Sequence, residues 1–464
     1  MTLIKSISGI RGTIGGAPGD NLTPLDAVKF ASAYAIWIKD SSKKNAPKVV
    51  IGRDARLSGS MIQSLVQNTL IGIGCHVVDL GLSTTPTVEL AVPNEKADGG
   101  IILTASHNPK QWNALKLLNH KGEFLDGAEG QKILDSADKE DFNYSEIDDL
   151  GTVQVIEDYI DQHIQMVLDM PVTQIEAIKS AGFKVVVDGV NSTGGIAIPN
   201  LCKALGVEVV ELYCDPTGHF PHNPEPLKEH LGDLCKAVVT HNADFGITVD
   251  PDVDRLAFVD EKGEMFGEEY TLVACADYIL GHKKGNTVSN LSSSRALRDV
   301  TVKHGGEYFA AAVGEVNVVQ KMKDKNAVIG GEGNGGIIYP DSHYGRDALV
   351  GVAMFLSLLT EKKIKVSELR ASYPSYFMSK KKVQLVKGMP VDAILADIHE
   401  KYKSEDVTSI DGIKIDFANE WVHMRKSNTE PIIRIYTEAP SQEKADQLAS
   451  RFIAELEEIA QKHA

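Results

Sequence analysis

Gly100-Ile101-Ile102-Leu103-Thr104-Ala105-Ser106-His107-Asn108-Pro109 runs from an apolar, β-branched stretch straight into a turn that carries a hydroxyl. Upstream lie Lys48-Val49-Val50-Ile51, a helix-like stretch from Met61 to Gly72, His76-Val77-Val78-Asp79-Leu80 and a short helix near Thr87 to Val92. Strand and helix therefore alternate as in parallel α/β units. In open α/β sheets ligands gather at the carboxyl ends of strands, which is where Ser106 stands.

The alternation returns twice. Phe183 to Asp188, a helix from Gly194 to Leu205, Val207 to Leu212 and Asp244 to Val249 lead into Asp250-Pro251-Asp252-Val253-Asp254-Arg255. Thr287 to Leu291, a helix after Ser293, Glu307-Tyr308-Phe309 and Ala327-Val328-Ile329 lead into Gly330-Gly331-Glu332-Gly333-Asn334-Gly335-Gly336. Three cycles of about 100 residues, each ending in a distinctive loop, predict an internal triplication. The rest changes character, with Lys380-Lys381-Lys382, short strands, a helix near Val391 to Tyr402 and an amphipathic helix from Gln442 to Ile459. The expected fold class is α/β: three similar α/β domains with mixed, mainly parallel sheets over 1–152, 153–257 and 258–374, plus a smaller α+β domain over 375–464.

Composition narrows the function. The chain has 464 residues, 43% hydrophobic and 24% charged, with 48 basic against 64 acidic side chains and a net charge of −16. Such a charge argues against nucleic acid and anionic membrane as partners, so a phosphorylated ligand must be met by a local basic cluster. Cys75, Cys202, Cys214, Cys235 and Cys275 show no C-x-x-C spacing and read as reduced thiols. The first residues lack the apolar region of a signal peptide, and no run of about 18 apolar residues occurs, so cytoplasmic residence is expected.

The loops carry the chemistry. Asp250, Asp252 and Asp254 alternate after a strand and can converge on one hard cation, with Arg255 directly behind them. With Ser106 they make a set suited to phosphoryl transfer through a phosphoserine. Arg425-Lys426-Ser427-Asn428-Thr429-Glu430-Pro431 is rich in donors for clasping a phosphate. Taken singly, Ser106 reads as well as a helix cap, the aspartates as a solvated turn and the glycines as a plain turn.

Together, T-A-S-H-N-P, D-P-D-V-D-R, G-E-G-N-G-G and R-K-S-N-T-E-P, in that order, resemble the α-D-phosphohexomutase superfamily over essentially the whole chain. The form of the sugar loop, followed by His343 and Arg346-Asp347, is most like the archaeal-type phosphoglucosamine mutase group. The resemblance implies four domains around one central cleft and interconversion of hexose 6-phosphate and hexose 1-phosphate through a phosphoserine and a bisphosphorylated sugar. Glucosamine phosphate is the first expected substrate, with a broad phosphoglucomutase/phosphomannomutase as the alternative and a phosphatase or a non-catalytic phosphosugar-binding protein as more distant ones. It implies Ser106 as phosphoserine, and Asp250, Asp252, Asp254 and Ser106 around one Mg²⁺. Arg255, Arg11 and His107 would stand about the transferring phosphoryl group, and Lys116 would act as a base, its pKa lowered by Arg255 and the metal. Glu332 and Asn334 would hold sugar hydroxyls, and Arg425, Ser427, Asn428, Thr429 and Arg434 the remote phosphate. Hexose bisphosphate is expected as activator and intermediate, a phosphorylated hexose or hexosamine as the partner, and a monomer or homodimer as the assembly.

The sequence departs from the family at Gly336, where many bacterial relatives carry a histidine, and His343 is expected to supply that function from nearby. Ala114 and Lys426 are smaller departures. Two further segments, Gly52-Arg53-Asp54-Ala55-Arg56 and Asp188 to Gly195, also resemble family segments and read as structural turns and caps.

Overall fold

The computed structural model describes residues 2–6, 9–384, 390–426 and 432–463. Its first three sheets repeat one pattern. In the first, Lys48–Arg53 lies between the parallel strands His76–Leu82 and Gly99–Leu103, and Trp112–Leu118 returns antiparallel beside the latter. In the second, Lys184–Asp188 lies between Glu208–Leu212 and Phe245–Val249, with Leu256–Asp260 antiparallel outside. In the third, Asn286–Asn290 lies between Tyr308–Ala311 and Ala327–Glu332, with Gly336–Ile338 antiparallel outside. Each repeat therefore runs second, first, third, fourth across its sheet, as the triplication predicts.

The first sheet is enlarged to seven strands by Ile4–Ser6 and Gly9–Thr13 at one edge and Val153–Val155 at the other. Val153–Val155 carries the first unit past the junction expected at 152/153. Leu256–Asp260 likewise carries the second unit past 257/258, because the strand after the Asp250 loop folds back on its own sheet. The fourth sheet is antiparallel throughout, ordered Phe377–Gln384, Ile432–Ala439, Trp421–Lys426, Ile413–Asp416, Asp406–Thr408. Helices Val391–Lys401 and Gln442–Lys462 contribute to its core, with Phe452 and Leu456 of the second packed among strand residues such as Ile415 and Ile435.

Apolar periodicity explains the packing. Helix Ala348–Lys362 is buried from Ala348 through Leu359, and a helix apolar on every face belongs inside a core. It joins the second and third units into one continuous cluster, where Phe355 stacks on Phe258 at 3.8 Å and meets Phe245 edge-on at 5.6 Å between ring centres. All five cysteines are free, and burial pushes the thiols of Cys75, Cys202 and Cys214 up to about 12. No helix among the described residues is long and apolar enough to cross a membrane.

Candidate active site

The Ser106, Asp250 and Glu332 loops occupy the same place in their three repeats, the turn from the third strand into the antiparallel fourth. Two of these turns hold non-glycine residues in the left-handed region, Ser106 at φ 48° and Val253 at φ 64°. Such backbone costs on the order of 1–3 kcal/mol and persists only where surroundings over-determine it. At Ser106 the surroundings are Arg56, which is 1% exposed. Its guanidinium donates to the Ser106 carbonyl, to the carbonyls of Asn108 at 2.7 Å and Pro109 at 2.9 Å, and to that of Trp112 at 3.1 Å. Asp54 balances that charge, accepting from Arg56 Nε at 2.9 Å and from Thr104 Oγ1 at 2.7 Å, while Thr104 Oγ1 accepts the Ser106 N–H at 2.9 Å. At the second turn Ser192 and Thr193 donate their hydroxyls to the Pro251 carbonyl at 2.7 and 2.8 Å. The two segments read as structural turns thus brace the Ser106 loop and the aspartate loop.

Ser106 Oγ donates to Asp250 Oδ2 at 2.5 Å, across 144 residues of sequence. Asp250, Asp252 and Asp254 are all 0% exposed, and each offers an oxygen within 4.8 Å of the others. The backbone N–H groups of Asp254 and Arg255 donate to Asp250 Oδ1 at 3.2 and 3.1 Å, and Thr85 Oγ1 donates to Asp252 Oδ2 at 2.6 Å. Asp252 Oδ1 and Asp254 Oδ1 have no hydrogen-bond partner although buried. Unpartnered buried carboxylate oxygens are costly unless a cation completes them, so this all-oxygen triad fits a hard divalent metal. Burial, then Asp254 and Asp252, raise the Asp250 carboxyl well above its ordinary range. Burial also opposes charge on Asp252, yet Lys116 at 2.7 Å outweighs it and holds that carboxyl low.

A cavity of about 150 Å³ beside the triad is lined by Ser106, His107, Arg11, Lys116, Arg255 and Arg346, among others. A larger one of about 220 Å³, lined by Glu123, Glu315 and Lys323 among others, holds none of the expected site residues. His107 Nδ1 is 3.4 Å from Ser106 Oγ, and burial, then Arg255, depress the imidazole well below its usual range. Burial, then Arg434 and Arg255, depress Arg11, so the charges of two other domains reach it. Arg425 and Arg434 are cross-strand partners on the fourth sheet, with Arg425 Nη1 3.7 Å from Asp411 and its buried Nε unpartnered. The expected phosphate ligands Ser427, Asn428 and Thr429 lie outside the described residues.

Two expectations change. Lys116 was expected to be depressed toward a base; burial does push that way, but Asp252 and Asp254 outweigh it and raise the ammonium pKa. His343 was expected to stand in for a histidine at 336; instead its Nε2 lies 3.1 Å from Asp347 and its Nδ1 3.5 Å from Glu89. Glu332 Oε1 accepts from Asn290 Nδ2 at 2.8 Å and from the Gly314 N–H at 3.2 Å, with Asn334 two residues on. Sequence reasoning missed Arg346, which donates to Glu332 at 3.1 Å and to Asp254 at 2.6 Å. The signal was the Arg346-Asp347 pair that follows the sugar loop, but nothing local says where the guanidinium goes.

Comparison with known proteins matches the phosphoglucomutase/phosphomannomutase alpha/beta/alpha domains I, II and III to residues 3–144, 157–263 and 267–376, and the phosphoglucomutase/phosphomannomutase C-terminal domain to 361–455. The chain is 36% identical to a phosphoglucomutase/phosphomannomutase of Thermococcus kodakarensis, covering 96% of this chain and 98% of that one. It is 32% identical to a phosphoglucosamine/phosphogalactosamine mutase of Sulfurisphaera tokodaii, covering 99% and 100%. Among solved structures, a phosphoglucomutase/phosphomannomutase family protein of Burkholderia thailandensis superposes with a TM-score of 0.84 at 26% identity, covering 98% of each chain.

Proposed function

The chain belongs to the phosphoglucomutase/phosphomannomutase family and is a phosphohexomutase, and from that premise we propose that it interconverts glucosamine 6-phosphate and glucosamine 1-phosphate through a phosphorylated Ser106. The observation that carries the mechanism is the Ser106 hydroxyl 2.5 Å from Asp250, on a triad that keeps two unpartnered oxygens. In this reading the Oγ–P bond breaks as the oxygen of the free sugar hydroxyl bonds to phosphorus, the hydroxyl proton passes to a base of the chain, and the leaving Ser106 oxygen takes up a proton to become a hydroxyl. The bisphosphorylated hexose then turns in the site and returns its other phosphate to Ser106, which restores the phosphoserine.

Lys116, kept an ammonium by Asp252 and Asp254, is assigned proton donation to the leaving Ser106 oxygen rather than the base role, His107 hydrogen bonding about that oxygen, and Arg11 and Arg255 the neutralisation of the transferring group. Asp250, Asp252, Asp254 and Ser106 would hold one Mg²⁺, which when bound supplies positive charge at the transferring phosphoryl oxygens. Glu332 and Asn334 are assigned the sugar hydroxyls. Arg425 and Arg434, with Ser427, Asn428 and Thr429, are assigned the phosphate that stays. Hexose bisphosphate serves as activator in this proposal, and the enzyme works in the cytoplasm as a monomer or homodimer.

The relative named for glucosamine and galactosamine phosphates supports the amino sugar. A second reading, broad phosphoglucomutase/phosphomannomutase activity, is supported by the relative so named at 36% identity. One or two stereocentres separate these sugars, worth about 1–3 kcal/mol each. A coupled assay of the Mg²⁺-loaded protein on glucosamine, glucose and mannose phosphates, with a trace of hexose bisphosphate, decides between them. A dominant rate on glucosamine phosphate is expected; equal or greater rates on the others would establish the second reading. Phosphate release without hexose 1-phosphate would mean a phosphatase, and no turnover a binding protein.

A further inference from the structure

Gly336 has an ordinary backbone conformation, so its φ does not call for glycine. Space does: a Cβ there would collide with Arg346 Cδ and lie 3.0 Å from its Cγ. Arg346 crosses the glycine with only 8% of its surface exposed and divides its donors among the sugar loop, the metal loop and the start of helix Glu315–Lys325. Nη1 donates to Glu332 Oε2 at 3.1 Å, Nη2 to Asp254 Oδ2 at 2.6 Å and Nε to Glu315 Oε2 at 3.0 Å. The Arg346 backbone N–H donates to the other oxygen of Glu315 at 3.1 Å, so Glu315 anchors the arginine at both ends. Asp254 Oδ1 has no hydrogen-bond partner, with Arg255 Nε 4.0 Å away, while Lys116 approaches Oδ2 from elsewhere at 3.4 Å.

We propose that Arg346 is a positioning residue that ties the sugar loop to the metal loop, and that Gly336 is glycine to let it pass. By engaging Oδ2, the guanidinium turns Asp254 so that Oδ1 is the oxygen left for a cation, and by engaging Glu332 it sets the carboxylate assigned to the sugar. A planar fork of five donors can serve three carboxylates at once, which an ammonium on a flexible stem cannot. The inference rests on the reading of the triad as a metal site and of Glu332 as a sugar ligand.

The test uses variants that keep the positive charge. Gly336→Ala drives the guanidinium off its partners without altering any functional group, and Arg346→Lys shortens its reach. Mn²⁺ binding, followed by electron paramagnetic resonance of the full chain, is expected to weaken by about 10- to 100-fold in each, the range for losing a partner that orients a ligand. KM for whichever hexose phosphate the wild type turns over is expected to rise as well. In an Arg346→Gln background the added Gly336→Ala change is expected to have less than about a twofold further effect, because two changes acting through one side chain are not additive. Wild-type Mn²⁺ affinity and KM in both charge-keeping variants, or additive effects in the double variant, would overturn the inference. Should Gly336→Ala fail to fold, Arg346→Lys decides alone. A wild type that binds no Mn²⁺ would overturn the metal reading, and this inference with it.

Discussion

Ser106 carries its hydroxyl on left-handed backbone at φ 48°, a conformation that a glycine adopts without penalty. Ser106→Gly is therefore expected to be more stable than Ser106→Ala by about 1 kcal/mol in denaturant unfolding, since both lose the hydroxyl and only one relieves the strain. Both are expected to lose turnover by more than about a thousandfold while hexose-phosphate affinity, measured by calorimetry, stays within about tenfold. Normal turnover in either would sink the phosphoserine mechanism. Arg56 is the other decisive residue at this scale. Arg56→Met leaves Asp54 charged and buried with four loop carbonyls short of a donor, and is expected to cost about 3–5 kcal/mol in the same unfolding measurement. Ser106 and the three aspartates were legible because their residue types and spacing are local. Arg56 and Arg346 were not, because a guanidinium takes its meaning from partners that the fold delivers.

Strands and helices were legible from periodicity, yet their returns were not. Leu256–Asp260 follows the Asp250 loop as an apolar run that reads as the opening of a new unit, and pairing alone assigns it to the second sheet. The same applies to helix Ala348–Lys362, whose start depends on Asp347. That side chain accepts from the N–H groups of Leu349 at 2.9 Å and Val350 at 3.2 Å, and meets His163 at 2.9 Å and His343 at 3.1 Å. Asp347→Ala removes an N-cap and leaves Nε2 of the fully buried His163 without its partner, so a loss of about 2–4 kcal/mol is expected, more than a cap alone gives. Thermal unfolding checks it, and a loss near 1 kcal/mol would reduce Asp347 to a simple cap.

Across the whole molecule, the fourth domain is held to the third by Arg295 and His423. Arg295 Nη2 donates to Asp416 at 3.1 Å and to the Glu420 carbonyl at 3.1 Å, while Ser292 Oγ lies 2.9 Å from His423 Nδ1. Arg295→Ala is expected to loosen this docking, seen as a larger radius of gyration in solution scattering and a higher KM. Burial lowers the His423 pKa from 6.5 to about 4, with Asp411 acting against the shift and Lys414 and Arg425 with it. The folded form thus keeps His423 neutral where the unfolded chain takes a proton, so its contribution is full above pH 6.5 and is lost as pH falls toward 4. Denaturant unfolding across that window should show stability declining with acid, and His423→Gln should flatten the decline.

By itself the sequence determined the three repeated α/β units, the four loops and the residue types that face one another in them, because strand and helix periods, turn chemistry and D-x-D-x-D spacing act over a few residues. Only the tertiary structure decided what the charges do. It reversed the expected shift on Lys116, sent His343 to Asp347 and Glu89, and passed Arg346 over Gly336 to Asp254. Electrostatic energy depends on distance and burial, and for Lys116 and Arg346 those are set by aspartates 136 and 92 positions away rather than by neighbours in the chain.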